Sequence, residues 1–176
     1  MPSSDKPKST SQRPRPRNKR LRAIWQSLES VTDPEIPVIN IVEMGMINDV
    51  RIDDEHVTVD MTPTFAGCPA LDFIRSEIRA AVSAFEKEVK VNVVFDPPWS
   101  TDRITEPARK KLKAFGLAPP TAGDCAKGQE GMKHIPCPLC DSTNTSLESI
   151  FGPTLCRSIH YCHDCLQSFE FIKPVR

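Results

Sequence analysis

The chain has 176 residues, 39% of them hydrophobic and 26% charged, with a formal net charge of zero. That length allows one or two small domains, and the composition is that of an ordinary globular protein. No apolar run approaches the length of a transmembrane helix, and no secretory leader is expected because the N-terminus lacks an apolar core.

The neutral total hides an uneven spread. Residues 1–22 carry eight Lys or Arg against one Asp, residues 23–124 carry 10 basic and 17 acidic groups, and residues 125–176 carry five of each. The first 20 residues, basic and rich in Pro, cannot bury enough apolar area to offset chain entropy, so a disordered tail is expected. It can bind nucleic acid or an acidic partner, serve as a solubilising arm, or lie against the acidic segment that follows.

Residues 21–115 read as one α+β domain. Leu21, Ile24, Trp25, Leu28 and Val31 recur at helical spacing. DPEIP then stops that helix, because Pro34 and Pro37 each disfavour the α conformation in the residue before them. MINDVRIDDEHVTVDM alternates in two runs around Asp53, Asp54 and Glu55, which predicts a hairpin. ALDFIRSEIRAAVSAF carries an apolar stripe of Leu71, Ile74, Ile78, Ala81, Val82 and Phe85, which predicts a helix. KVNVVF predicts a third strand. TEPARKKLKAFG predicts a last helix with Thr105 as N-cap, Pro107 in the first turn and Gly116 as its stop. Residues 116–132, rich in Gly and Pro, read as a linker, and residues 133–176 as a small cysteine-rich unit with short strands in TSLESIF, SIHYC and QSFEFI. The expected fold is therefore a small three-stranded sheet with flanking helices, followed by a C-terminal zinc ribbon.

Four of the seven cysteines form two C-x2-C pairs, Cys137 with Cys140 and Cys162 with Cys165. Each pair lets a tight turn present two thiolates to one metal, and two such knuckles close a tetrahedral site suited to Zn²⁺. The same ligands can hold iron. A full shell of four sulfurs leaves no open position, so the metal reads as structural. A unit this small needs metal ligation to fold, and the paired pattern favours metal over disulfides and hence a reducing cytoplasm. His160 and His163 beside the second knuckle read as surface residues, and Cys156 as a fifth thiol that is buried or exchanges with a ligand.

Cys68 stands apart, between Gly67 and Pro69 where a strand gives way to a helix. A helix start favours a thiolate and lowers its pKa, so the position suits a nucleophilic or metal-binding sulfur. Packing is the competing reading, since free cysteines are often buried. One sulfur cannot hold an iron–sulfur cluster, so further ligands would come from a second copy in a homodimer or from another protein. Asp33 and Glu35 in DPEIP, Thr62 and Thr64 around Pro63, and Asp96 and Trp99 in FDPPWS are the polar candidates that strand ends could gather beside it. For Asp33 a turn-capping role competes, and for Trp99 a core role.

DPEIP, MGMI, TPTFAGCPAL and the V-x-V strand leading to DPPW together resemble the iron–sulfur cluster assembly domain family over about residues 22–115. With FGPTLC, YCHDC and QSFEFIK added, the chain is similar to the PaaD-like family, the D components of phenylacetyl-CoA epoxidase systems. The resemblance implies a small α+β fold and a role for Cys68 in cluster work. It implies an accessory subunit beside a di-iron oxygenase and an iron–sulfur flavin reductase, in a system that epoxidises the ring of phenylacetyl-CoA during aerobic phenylacetate breakdown. That family would carry tryptophan after Asp102, where this chain has Arg103, a side chain suited to hydrogen bonding.

Two functions are compatible with these features. In the first, the chain helps assemble iron or iron–sulfur centres in those partners, with Cys68, Asp33, Glu35, Thr62 and Thr64 handling transient iron or a cluster. In the second it is a non-catalytic structural or regulatory module of the oxygenase complex. The neutral ribbon argues against nucleic-acid binding. No two-His-one-carboxylate set and no G-x-G-x-x-G loop appears, so no catalytic residue is assigned and any enzymatic label belongs to the complex.

Overall fold

The computed structural model describes residues 18–85, 88–121 and 131–174. Of the tail expected over 1–20, residues 1–17 lie outside the described residues, and its end is already helical. Helix α1 (Lys19–Leu28) begins at Asn18, whose side-chain oxygen accepts from the N–H groups of Arg20 and Leu21. The cap starts the helix before any apolar residue signals it. Ile24 and Leu28 on its inner face are fully buried.

DPEIP is not the stop of α1, which ends at Leu28 ahead of Val31 and leaves these residues to another element. β1 (Thr32–Asp33) pairs antiparallel with β2 (Ile36–Asn40), leaving Pro34 and Glu35 as a two-residue turn. The Asp33 carboxylate accepts the Glu35 N–H at 2.8 Å and so fixes that turn. Pro37 faces outward on β2, which pairs with β1 alone among the described residues, and a missing N–H does little harm there.

The expected hairpin is β3 (Ile47–Ile52) and β4 (His56–Met61), with Asp53 accepting from the N–H groups of Glu55 and His56 at the turn. β5 (Glu88–Val93) then runs parallel to β4, giving the order β3-β4-β5. A parallel neighbour requires a crossover, and α2 (Leu71–Ser83) supplies it. Its Ile74, Ile78 and Val82 are fully buried, each contributing about 1.5–3 kcal/mol relative to exposure. The crossover places the loops after β4 and β5 at the same end of the sheet, together with the turn that enters β3.

A 3-10 turn at Thr101–Arg103 leads to α3 (Glu106–Ala114). Thr105 caps α3 by accepting the Ala108 N–H, and Gly116 with φ 89° ends it.

The C-terminal sheet has the order β6-β9-β8-β7, from β6 (Leu117–Ala118), β7 (Thr145–Ser149), β8 (Arg157–Cys162) and β9 (Ser168–Ile172). β6 corrects the expectation for 116–132: the segment expected to be a linker opens with a strand that pairs parallel with β9. Two residues before Pro119 and Pro120 are too few to show alternation. Residues 122–130 lie outside the described residues. Leu117 and Ile172 join the main core, whereas Ala118 joins a second cluster with Ile135, Cys137, Cys162, Phe169 and Phe171. Among the described residues no helix is long and apolar enough to cross a membrane.

Candidate functional site

The loop after β4 carries Thr62 to Ala70 and delivers Cys68 to a cavity of about 40 Å³. Asp33, Glu35, Thr64, Phe65, Cys68 and Trp99 line it from the α+β unit. The sequence candidates Asp33, Glu35, Thr64 and Cys68 are thus brought together. Thr62 is not among the lining residues: it is buried, and its hydroxyl accepts from Asn48 Nδ2 at 2.6 Å while Asn48 Oδ1 accepts from Arg103. Asp96 is exposed and does not line the cavity. Trp99 both lines the cavity and anchors the core, donating from Nε1 to the Met44 carbonyl at 3.0 Å. Arg103 stands in place of the expected tryptophan with a hydrogen-bonding role, donating to Asn48 and to the Ile47 carbonyl.

Contrary to expectation, Cys68 does not sit at the helix end proper: the N-cap of α2 is Ala70, two residues on. Its own N–H donates to the Phe65 carbonyl, and its carbonyl accepts from the Leu71 N–H. Burial pushes the Cys68 thiol up, the Ala70 N–H opposes this, and the nearby Asp33, Cys156 and Glu35 raise it further. Asp33 is also raised, by burial first, against the opposing N–H groups of Glu35 and Ile36. Asp33 therefore caps a turn and also faces the cavity.

Sequence reasoning misses the far wall. Thr154, Leu155, Cys156 and Arg157 from the C-terminal unit line the same cavity. Arg157 is buried and joins the two units: its guanidinium donates to Glu170 at 2.7 Å and to Glu35 at 3.3 Å, and Nε donates to Thr154 at 2.8 Å. The one signal for this wall is FGPTLC itself, which reads as a ribbon motif and not as a partner for Cys68.

The second site is the four-cysteine group. The sulfurs of Cys137, Cys140, Cys162 and Cys165 all lie within 4.8 Å of one another, with Cys137–Cys165 at 3.7 Å and Cys140–Cys162 at 3.6 Å. A tetrahedral ion with bonds of about 2.3 Å sets its sulfurs about 3.8 Å apart, so the group fits one metal ion. The N–H groups of Cys165 and Asp164 point at Cys162 and hold its thiol down to about 7, against burial. Cys165 is pushed up to about 12, by burial first and then by the three neighbouring thiols. A cation at the centre is what lets all four ionise together. His163 is exposed as expected, but His160 is fully buried between Phe169 and Phe171, against the expectation of a surface residue. Burial lowers its pKa to about 4. The strand pleat turns it onto the inner face of β8.

Both units of the chain are similar to known proteins. Residues 21–93 match the family of iron–sulfur cluster assembly proteins, and residues 121–173 match the PaaD zinc beta ribbon domain. A protein of Escherichia coli (strain K12), named for the D component of 1,2-phenylacetyl-CoA epoxidase, is 35% identical over 160 residues, covering 88% of this chain and 93% of that one. The chain belongs to the PaaD family of phenylacetyl-CoA epoxidase components. The first unit of this chain has relatives of its own. The Fe-S protein maturation auxiliary factor YitW of Bacillus subtilis (strain 168) is 36% identical over 92 residues, covering 51% of this chain and 89% of that one. A crystal structure of a domain of unknown function from Bacillus anthracis superposes with a TM-score of 0.50 at 34% identity, covering 53% of this chain and 91% of that chain.

Proposed function

We propose that the chain is an accessory maturation subunit of a phenylacetyl-CoA ring-epoxidase system, aiding iron or iron–sulfur centre assembly in the oxygenase and reductase subunits. The observation that carries this reading is the convergence of Cys68, Asp33, Glu35 and Thr64 on one cavity. A thiol and carboxylates at one surface cleft suit brief capture of iron, because sulfur and oxygen donors together bind it without a closed shell. The kinship with maturation factors supports the same reading. Iron or a cluster is the cargo here. The four-cysteine group takes a resident Zn²⁺ that supplies folding free energy, and it offers no open coordination position.

The exposed apolar side chains Phe65 and Leu155 stand at the cavity, with Phe151 and Leu166 exposed elsewhere on the ribbon. They give a client protein apolar area to cover.

The test is co-production of the Cys68→Ser chain with the oxygenase and reductase subunits. The partners should assemble but carry depleted iron and turn over slowly, while zinc in this chain stays at its normal content. Normal iron and turnover in those partners would sink the reading and leave a structural module in its place.

A further inference from the structure

The cavity has two thiols, and they come from different units. Cys68 arrives on the loop after β4 and Cys156 on the loop before β8, and both line the same space beside Asp33 and Glu35. We propose that Cys68 and Cys156 form a two-thiolate site across the unit boundary that binds a thiophilic divalent ion, iron(II) in the first place.

The loops that carry both sulfurs are held in place. The backbone at Cys68 is fixed by its N–H donating to the Phe65 carbonyl and its carbonyl accepting from the Leu71 N–H. Cys156 has its sulfur 3.2 Å from Thr154 Oγ1, and its carbonyl accepts the Lys173 N–H at 2.9 Å. The loop carrying it is closed by the Gly152 N–H to the Arg157 carbonyl, where a Cβ on Gly152 would come within 3.1 Å of that oxygen. The two walls are also joined. Arg157, next to Cys156, reaches across to Glu35 while bound to Glu170, so the facing loops are set against each other before any ion arrives.

The charge around Cys68 would favour a cation. Burial first, and then Asp33, Cys156 and Glu35, disfavour ionisation of Cys68. Of the cations lining the cavity among the described residues, Arg157 is committed to two glutamates, and Lys173 donates to the Ile150 carbonyl and lies over the Phe151 ring. An ion bound between the sulfurs would reverse that repulsion, with the two S–H protons passing to solvent. A space of about 40 Å³ exceeds the roughly 10–15 Å³ one water needs, so an ion with a remaining water fits. Two thiolates, with water completing the shell, make a donor pair for iron(II), cobalt(II) or zinc, and a poor one for magnesium or calcium.

This inference rests on the maturation reading, since it supplies from within one chain the second ligand that Cys68 lacks. The test uses the full chain with zinc already in the ribbon, titrated anaerobically with a ferrous salt by equilibrium dialysis. The wild type should hold one further ion. Cys68→Ser and Cys156→Ser should each weaken it at least as much as loss of an outer-shell partner does, about 10–100-fold. Cys156→Ala should repeat the result, with ribbon zinc and unfolding midpoint unchanged. Iron bound normally by both Cys156 variants but not by Cys68→Ser overturns the pair and leaves the maturation reading standing. Iron lost from both single variants, with normal iron in the partners of Cys68→Ser cells, upholds the pair and sinks the reading. A wild type that takes no iron beyond its zinc, even if air links the two cysteines, overturns the pair.

Discussion

Gly45 shows how closely the approach to the cavity is built. It has φ +72°, and a Cβ there would lie 2.5 Å from the Arg103 carbonyl oxygen and 2.6 Å from its Cβ. The neighbouring Met44 lines the cavity and receives the Trp99 hydrogen bond. Gly45→Ala should therefore cost on the order of 2–4 kcal/mol, from backbone strain and overpacking together. Denaturant unfolding measures this, and a loss under about 1 kcal/mol would contradict the packing described. At this scale the sequence is partly legible. Cys68 draws notice through its Gly and Pro flanks, and MGMI through its lone glycine. Cys156 does not, because the ligand pairs around it make any fifth thiol look like part of the ribbon. The carboxylates that face Cys68 are legible as candidates in DPEIP, but its burial, which raises the thiol, escapes a sequence reading because it comes from distant segments, whereas a helix start can be read locally.

Among the elements, the long periodic ones are legible and the short ones are not. α2, the β3–β4 hairpin and β5 each carry enough turns or alternations to declare themselves, and Thr105 and Gly116 mark the ends of α3 as expected. β1 and β6 have two residues each, too few for any period, and exist only because a partner strand is present. The ribbon strands should depend on metal in the same way that those short strands depend on partners. Their own core, among the described residues, is six buried side chains, two of which belong to the four-cysteine group. Structural zinc in comparable small units contributes about 10–16 kcal/mol, far more than such a core could replace. Chelation, or Cys140→Ser, should therefore speed amide exchange throughout β7, β8 and β9 and leave α2 and β3–β5 protected. Retained protection in β7–β9 after the metal is gone would show that packing alone holds the ribbon.

At the scale of the molecule, the sequence indicates two units and a join, but it does not indicate that the join is a wall of the site. Composition separates a hairpin-and-helix region from a cysteine-rich one. It carries no trace of the Glu35–Arg157–Glu170 bridge, which is a contact between residues far apart in the chain. Arg157 is buried while Glu35 is half exposed, so the loss of the bridge should be modest, about 1–3 kcal/mol. Its larger effect is on access. Arg157→Met should let the facing loops part, and both Cys68 and Cys156 should then be alkylated faster than in the wild type. Equal rates would mean that the two walls stay together without the bridge.

The pairing of β6 with β9 bears on how this protein can be cut. A fragment beginning at residue 131 would retain all four metal-binding cysteines yet leave β9 as an unprotected edge, with its backbone N–H and C=O groups open to other chains. Such a fragment would load metal and still clump. One beginning at Gly116 would bring its own edge guard in Leu117 and Ala118, residues outside the four-cysteine group.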